Sequence, residues 1–355
     1  MNDSQIINRR LINQQIAETK FNGAQELITW MAAMQAQDYA MAKWAIGLRL
    51  PMVSNADIER AFNSGDILRT HLLRPTWHFV TPKDIRWMLA LTAPRVNAAN
   101  AYPYRKLELD DSVFRISNQT FIKELQGQKH LTRAILKTAL GHAGIVADGL
   151  RLGYLMMRAE LDGIICSGPR YGKQFTYALL EERVPPVKDM GHGEALGELT
   201  LRYFASRGPA TLKDFTYWSG LTMADAQTGI EIHRSALTFE VINRQQYIFI
   251  PNTSIPRREV QATFLMPDYD EYGMSYKDRS AIYLSGGYSQ FNQNEKTASY
   301  HTIVIDGVIK GTWQWEKKYR HSDIRTTLFT ALSERENLAL ENAIRRYKEF
   351  AEQGM

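Results

Sequence analysis

Apolar positions along this chain fall at helical spacing through long stretches, then switch to alternation in short ones. "QIINRRLINQQIA" carries Ile6, Ile7, Leu11 and Ile12 on one helical face, and "GAQELITWMAAM" does the same with Leu27, Ile28, Met31 and Met34. "AMAKWAIGLRL" is a further helix stopped by Pro51, and "NADIERAFNSG" a short one, with Asn55 as N-cap and Gly65 past its end. "ILRTHLLRPTWHFVTP" then reads as two strands around a turn. The same order returns. "LTRAILKTALGHAG" and "GLRLGYLMMRAELDG" are helices, and "IICSGPRYGKQFTYALL" is strand, Gly-rich turn, strand. A third round comprises "EALGELTLRYFASRG", "TLKDFTYWSGLTMADAQTGIEI" and the hairpin "FEVINRQQYIFIP".

Helices followed by a hairpin are the plan of a winged helix, so the pattern predicts three tandem winged helix-turn-helix units. Their expected limits are 1–118, 119–188 and 189–256. Residues 257–355 differ. "HTIVIDGVIKGTWQWEKK" is a hairpin, because Asp306-Gly307 between alternating apolar runs suits a type I′ turn. "LSERENLALENAIRRYKEFAEQ" is an amphipathic closing helix, with Ser333 and Glu336 forming a capping box. The expected fold is α+β and mainly helical, with a small C-terminal β-rich appendage.

Totals narrow the picture without deciding it. A chain of 355 residues with 44% hydrophobic content supports several packed units. The single cysteine, Cys166, allows neither an intrachain disulfide nor a cysteine metal cluster, which points to a reducing cytosol. "MNDSQIINRRL" has no apolar core of the signal-peptide kind, and no apolar run approaches the ~18 residues of a membrane span. The net charge of +5 suits a nucleic-acid partner but does not identify one.

One detail breaks the apolar pattern. In "ITWMAAMQAQDYAMAKW", Gln35 and Gln37 interrupt the most hydrophobic N-terminal segment, with Asp38 directly behind. On a continuous helix the two amides would stand about 200° apart. In extended backbone, residues i and i+2 face the same way. Asp38 is a good N-cap for a helix beginning near Tyr39, so the preceding helix should end near Met34 and Gln35-Ala36-Gln37 should be a connector. Both amides then point into one cleft and Ala36 faces the core. The competing reading makes Gln35 a helix cap and Gln37 a surface residue. An amide can bind and aim a water but is a very poor general base. Such a pair suffices only where the leaving group is already activated.

These segments carry a resemblance. "MAAMQAQDYAMAKWAIGLRL", "RTHLLRPTWHFVTPKDIRWMLALTAPR", "LGYLMMRAELDGIICSGPRYGKQFTY" and "FLMPDYDEYGMSYKDRS" resemble the AlkZ/YcaQ family of winged-helix DNA glycosylases, across nearly the whole chain. The resemblance implies tandem winged helices forming a basic concave surface, and a Gln-x-Gln or Gln-x-Asp catalytic motif. Here that motif is Gln35-Ala36-Gln37. It also implies excision of N7-alkylated purines, including those within interstrand crosslinks. N7 alkylation makes the purine cationic, so the base leaves readily, and water attack needs positioning more than deprotonation.

Other groups are weighed against that expectation. "RTHLLRPTWH" places Arg69, Arg74 and His78 on or near the first wing, as phosphate contacts for the arginines and either a damaged-site contact or a buried hydrogen-bonded ring for His78. "GPRYGKQF" offers Arg170 and Lys173 on a second wing, without the strand–loop–helix context of a phosphate loop. Asp268, Asp270 and Glu271 in "PDYDEY" could bind a divalent metal, or cap turns and pair with Lys277 and Arg279, which is the preferred reading. Trp313 and Trp315 alternate on one strand face and read as core. The expectation is a monofunctional DNA glycosylase needing no metal or organic cofactor. It would act as a cytoplasmic monomer on double-stranded DNA containing alkylated bases. The rival is a non-catalytic winged-helix DNA-binding protein, a regulator or damage sensor.

Overall fold

The structure is a computed structural model and describes residues 1–251, 261–283, 301–317 and 322–352. One order of elements, helix, short strand, helix, helix, hairpin, occurs three times. In the first, helix Ala24–Met31 leads to strand Met34–Gln35, helices Tyr39–Arg49 and Asn55–Ser64, and strands Leu68–Leu72 and Thr76–Val80. In the second, helix Asp111–Leu125 leads to strand Leu131–Thr132, helices Arg133–His142 and Leu150–Leu161, and strands Ile165–Ser167 and Thr176–Leu179. In the third, helices His192–Arg207, Leu212–Ser219 and Met223–Ile232 precede strands Thr238–Ile242 and Gln245–Phe249. Ala210, bridged to Ile248, occupies the place of the short strand there. In the first two sheets the short strand pairs antiparallel with the last strand, which lies centrally.

Local chemistry sets these boundaries. Thr132, Thr211 and Thr222 each accept a main-chain N–H of the helix they precede, and the last two complete capping boxes with Asp214 and Asp225. The N-cap of helix Asn55–Ser64 is Ser54, one residue before the expected Asn55, because Ser54 and Asp57 form the reciprocal pair. Gly65 ends that helix with φ of 92°, as expected. The limit expected between residues 118 and 119 falls inside helix Asp111–Leu125. Asp110 caps this helix and accepts from Val113 N, so the second round of elements begins there. The limit at 188/189 falls in the stretch between Arg183 and His192, and the one at 256/257 lies outside the described residues.

The C-terminal region forms an antiparallel sheet of strands Thr263–Met266, Thr302–Ile305, Val308–Lys317 and Ser322–Leu328, each beside its sequence neighbour. Asp306 and Gly307 both have positive φ, 50° and 81°, which fits a type I′ turn. Helix Glu334–Glu352 follows, with the reciprocal Ser333–Glu336 hydrogen bonds of a capping box. Its Tyr347 and Phe350 pack on Trp44, and the Phe350 ring rests where a Cβ on Gly47 would come within 2.4 Å. Sheet, closing helix and helix Tyr39–Arg49 therefore share one core, in which Trp313 is buried as its alternation predicts. Residues 318–321 of the basic stretch after Trp315 lie outside the described residues. No helix among the described residues is long and apolar enough to cross a membrane.

Candidate active site

The Gln-x-Gln segment is a connector, built by a strand on one side and a helix cap on the other. Helix Ala24–Met31 stops three residues before the expected Met34, because Ala32 turns out of the helix with φ of 58°. Arg207, fully buried at the end of helix His192–Arg207, donates to the carbonyls of Met31 and Ala33 at 2.8 Å each. The Met31 carbonyl also accepts from Ala33 N at 2.7 Å, so Arg207 is its second donor. Released from the helix, Met34 and Gln35 pair with Phe79 and His78. The ladder extends one residue further through Ala36 N to Trp77 O, 2.7 Å. Asp38 then caps helix Tyr39–Arg49 by accepting from Met41 N at 3.0 Å. Ala36 is fully buried as expected, but Gln35 is buried too, at 6% exposure, and only Gln37 is exposed, so the two amides do not share the open face that alternation predicts.

Each glutamine carbonyl is held from the first hairpin. Gln35 Oε1 accepts from Arg74 Nη2 at 3.1 Å, and Gln37 Oε1 lies 3.5 Å from Trp77 N. An arginine can only donate, so it fixes which end of the Gln35 amide faces it. Neither amide Nε2 has an acceptor among the described residues. Beneath the connector, Glu271 Oε1 accepts from Gln35 N at 2.8 Å. Glu271 Oε2 accepts from Arg207 Nη2 at 2.8 Å, Trp218 Nε1 at 3.0 Å and Ser275 Oγ at 2.6 Å. Burial alone would raise the pKa of Glu271. Arg207, with Ser275 and the Gln35 N–H, outweighs it and brings the carboxyl down to about 2.

The first-hairpin residues are not on an exposed wing. Strand Leu68–Leu72 is buried along its whole length, since strand Ile165–Ser167 and helix Leu150–Leu161 of the second round pack against it. Arg69 is 9% exposed, and its Nε and Nη2 donate to the carbonyls of Ala36 at 2.9 Å and Gln37 at 3.3 Å. Arg74 is half-buried and spends its guanidinium on Gln35 and on Tyr217 O. His78 is fully buried, with Nδ1 at 3.0 Å from Thr76 O, and burial with the neighbouring Arg74 pushes its pKa down to about 3. Of the two readings open for His78, the structure has the buried hydrogen-bonded ring, directly opposite Gln35, and not a surface contact. Arg170 and Lys173 do lie on the turn of the second hairpin, Lys173 exposed and Arg170 half-buried. With Tyr39, Lys43, Asn55, Arg60 and Asn63 they line an open cleft of about 490 Å³ next to the connector.

The acidic run takes partners other than those expected. Asp270 makes a two-point ion pair with Arg49, 2.8 and 2.9 Å, both side chains fully buried, and Glu271 pairs with Arg207 rather than Lys277 or Arg279. Asp270 also caps the short helix Glu271–Met274, so the turn-capping part of the expectation stands. Asp268, half-buried near Asp38, has its pKa raised to about 6, by burial first and the Asp38 charge second. Among the described residues no group of three or more His, Cys, Asp or Glu side chains is arranged to hold a metal ion.

Sequence and structure comparisons place this geometry in a family. The profile of the family described as DNA glycosylase AlkZ-like matches residues 28–350. The interstrand DNA cross-link repair glycosylase of Streptomyces sahachiroi is 22% identical over 331 residues, covering 82% of each chain. The solved structure of the Streptomyces sahachiroi DNA glycosylase AlkZ superposes with a TM-score of 0.81 at 18% identity. That match spans 99% of this chain and 97% of that one, so the two share a mixed helix and sheet fold. With the profile matched from before the connector to the closing helix, the chain belongs to the AlkZ-like DNA glycosylase family.

Proposed function

We propose that this protein is a monofunctional DNA glycosylase that hydrolyses the N-glycosidic bond of cationic N7-alkylated purines. By the name of its Streptomyces relative, we extend the proposal to unhooking interstrand crosslinks. The observation that carries the reading is the connector itself: Gln35, buried, and Gln37, exposed, each set its amide oxygen against the first hairpin, two residues before the cleft that Tyr39 helps to line. Gln35 and Gln37 each keep a second lone pair on Oε1 after their hairpin contacts. Those lone pairs accept protons from a water and leave the water oxygen free to face C1′ of the sugar. The base departs with its electron pair, neutralising its own positive charge. The sugar becomes oxocarbenium-like, the water oxygen bonds to C1′, and its proton passes to solvent. Two amides suffice because the leaving group brings its own activation.

The recurring helix-strand-helix-helix-hairpin order is read as three tandem winged-helix units with double-stranded DNA across them. Arg170 and Lys173 are assigned to its phosphates, a reading supported by their position on the second hairpin's turn at the open cleft. The test is incubation with DNA containing N7-methylguanine. Free base and abasic strands are the expected products; intact DNA at saturating protein would favour a non-catalytic DNA-binding protein.

A further inference from the structure

Six side chains stack in a row beside the connector, cations and rings interleaved. His71 lies on Trp77 with centroids 4.3 Å apart. The Arg69 guanidinium sits 4.3 Å from the Trp77 ring and 4.8 Å from the Phe175 ring. The Arg170 guanidinium sits 4.2 Å from the same Phe175 ring and 5.0 Å from the Tyr39 ring. His71, Arg69 and Trp77 come from the first hairpin, Phe175 and Arg170 from the second, and Tyr39 opens the helix that follows the connector.

We infer that Arg69 is a positioning residue for the Gln35–Gln37 connector, locked between Trp77 of the first hairpin and Phe175 of the second. The inference rests on the glycosylase reading for its kinetic consequence. Removing a guanidinium from water is costly, and among the described residues no carboxylate touches Arg69; the Glu160 charge opposes the burial cost only from beyond contact. What it has instead are two successive main-chain carbonyls and two ring faces. Nε and Nη2 lie on one rigid edge of the guanidinium, so the carbonyls of Ala36 and Gln37 are held at a fixed angle to each other. That angle sets the direction of the Gln37 side chain. Trp77 acts on the same residues, accepting from Ala36 N at 2.7 Å and reaching Gln37 Oε1 at 3.5 Å. Ser167 Oγ accepts from Arg69 N at 2.8 Å, a second link from the second round of elements to the connector. A hairpin with no side chain at the glutamines thereby governs their geometry.

The test uses the full-length protein with Arg69→Lys, Arg69→Gly and Phe175→Leu. The single-turnover rate is measured at saturating N7-methylguanine DNA, and DNA affinity at several salt concentrations. A lysine keeps the charge but cannot grip two carbonyls in one plane. Arg69→Lys should lose roughly 10- to 100-fold in rate, with affinity and salt slope held within about twofold. Phe175→Leu should fall in the same direction, and methylguanidinium should restore part of the Arg69→Gly rate. A wild-type rate in Arg69→Lys overturns the inference. If it comes with weaker binding and a salt slope flatter by about one unit, Arg69 is a phosphate ligand instead. Hydrogen exchange at the Ala36 amide decides independently of activity. It should quicken in Arg69→Lys, and unchanged protection overturns the inference. A wild-type protein that releases no base would refute the glycosylase reading while leaving this exchange measurement decisive.

Discussion

The carboxylate of Glu271 accepts the main-chain N–H of Gln35 at 2.8 Å across 236 residues of sequence. One buried acid thereby ties the connector to Arg207, which itself holds the carbonyls of Met31 and Ala33. Both ends of the turn from helix to connector hang on a single ion pair.

Glu271→Gln should cost about 3–5 kcal/mol at neutral pH, because Arg207 is left buried without its counter-charge. Glu271 has a folded pKa lowered to about 2 from 4.5. Its contribution is therefore complete above pH 4.5 and fades as pH falls toward 2. Denaturation of wild type and variant should show a gap that is wide at pH 7 and narrow at pH 3. A gap independent of pH would mean that the carboxylate charge is not what holds the turn.

Gln35→Ala and Gln37→Ala should each lower base excision by ~10²-fold or more with little change in DNA affinity. Their stabilities should differ. Removing Gln35 takes the acceptor from half-buried Arg74, a loss of roughly 1–3 kcal/mol, whereas Gln37 is exposed and its removal should be nearly neutral. Single-turnover kinetics with thermal melts separate the two effects, and wild-type rates in both variants would refute the catalytic assignment.

Arg170→Ala and Lys173→Ala should each flatten the dependence of DNA affinity on salt by about one unit, and the double variant by about two. Arg170 is also the outer cation on the Phe175 ring, so its variant should lose some rate where the Lys173 variant does not. Titrations between 50 and 200 mM salt read the slope, and an unchanged slope in the double variant would move the DNA path off the second hairpin.

A lesion panel at matched DNA length and salt tests the chemistry. N7-methylguanine and N3-methyladenine carry positive charge and should be released. Uracil, hypoxanthine and 1,N6-ethenoadenine are neutral and should stay. Robust uracil release would require an acid or base that the amides cannot supply, and attention would turn to Asp38 and Asp268 beside the connector.

Much of the connector was legible in sequence because its signals are local. Asp38 is an N-cap by type and position, and two-residue alternation puts Ala36 in the core but misses that Gln35 is buried as well. The hairpins were legible for the same reason. Arg69 was misplaced, and His78 left open between two readings, because alternation marks one buried face. The burial of strand Leu68–Leu72 on both faces depends on strands and helices some 90 residues away. Glu271 gave a similar signal, an acid among acids near a turn, and nothing local pairs it with Arg207 or Gln35. Phe175 carried no signal at all, since its role exists only once two hairpins meet.

The pairing of Met34 with Phe79 and Gln35 with His78 has a consequence of parity. Along extended backbone, which residues look into the cleft is decided by odd and even position, whatever their chemistry. A slip of one residue against strand Thr76–Val80 would bring Ala36 to the side that Gln35 and Gln37 now take and send both glutamines to the opposite one. The guanidinium edge of Arg69 and the carboxylate of Glu271 grip main chain, not side chain, on opposite sides of that choice. They act as a ratchet on the count, so that a motif spelled with every second letter is always read in frame.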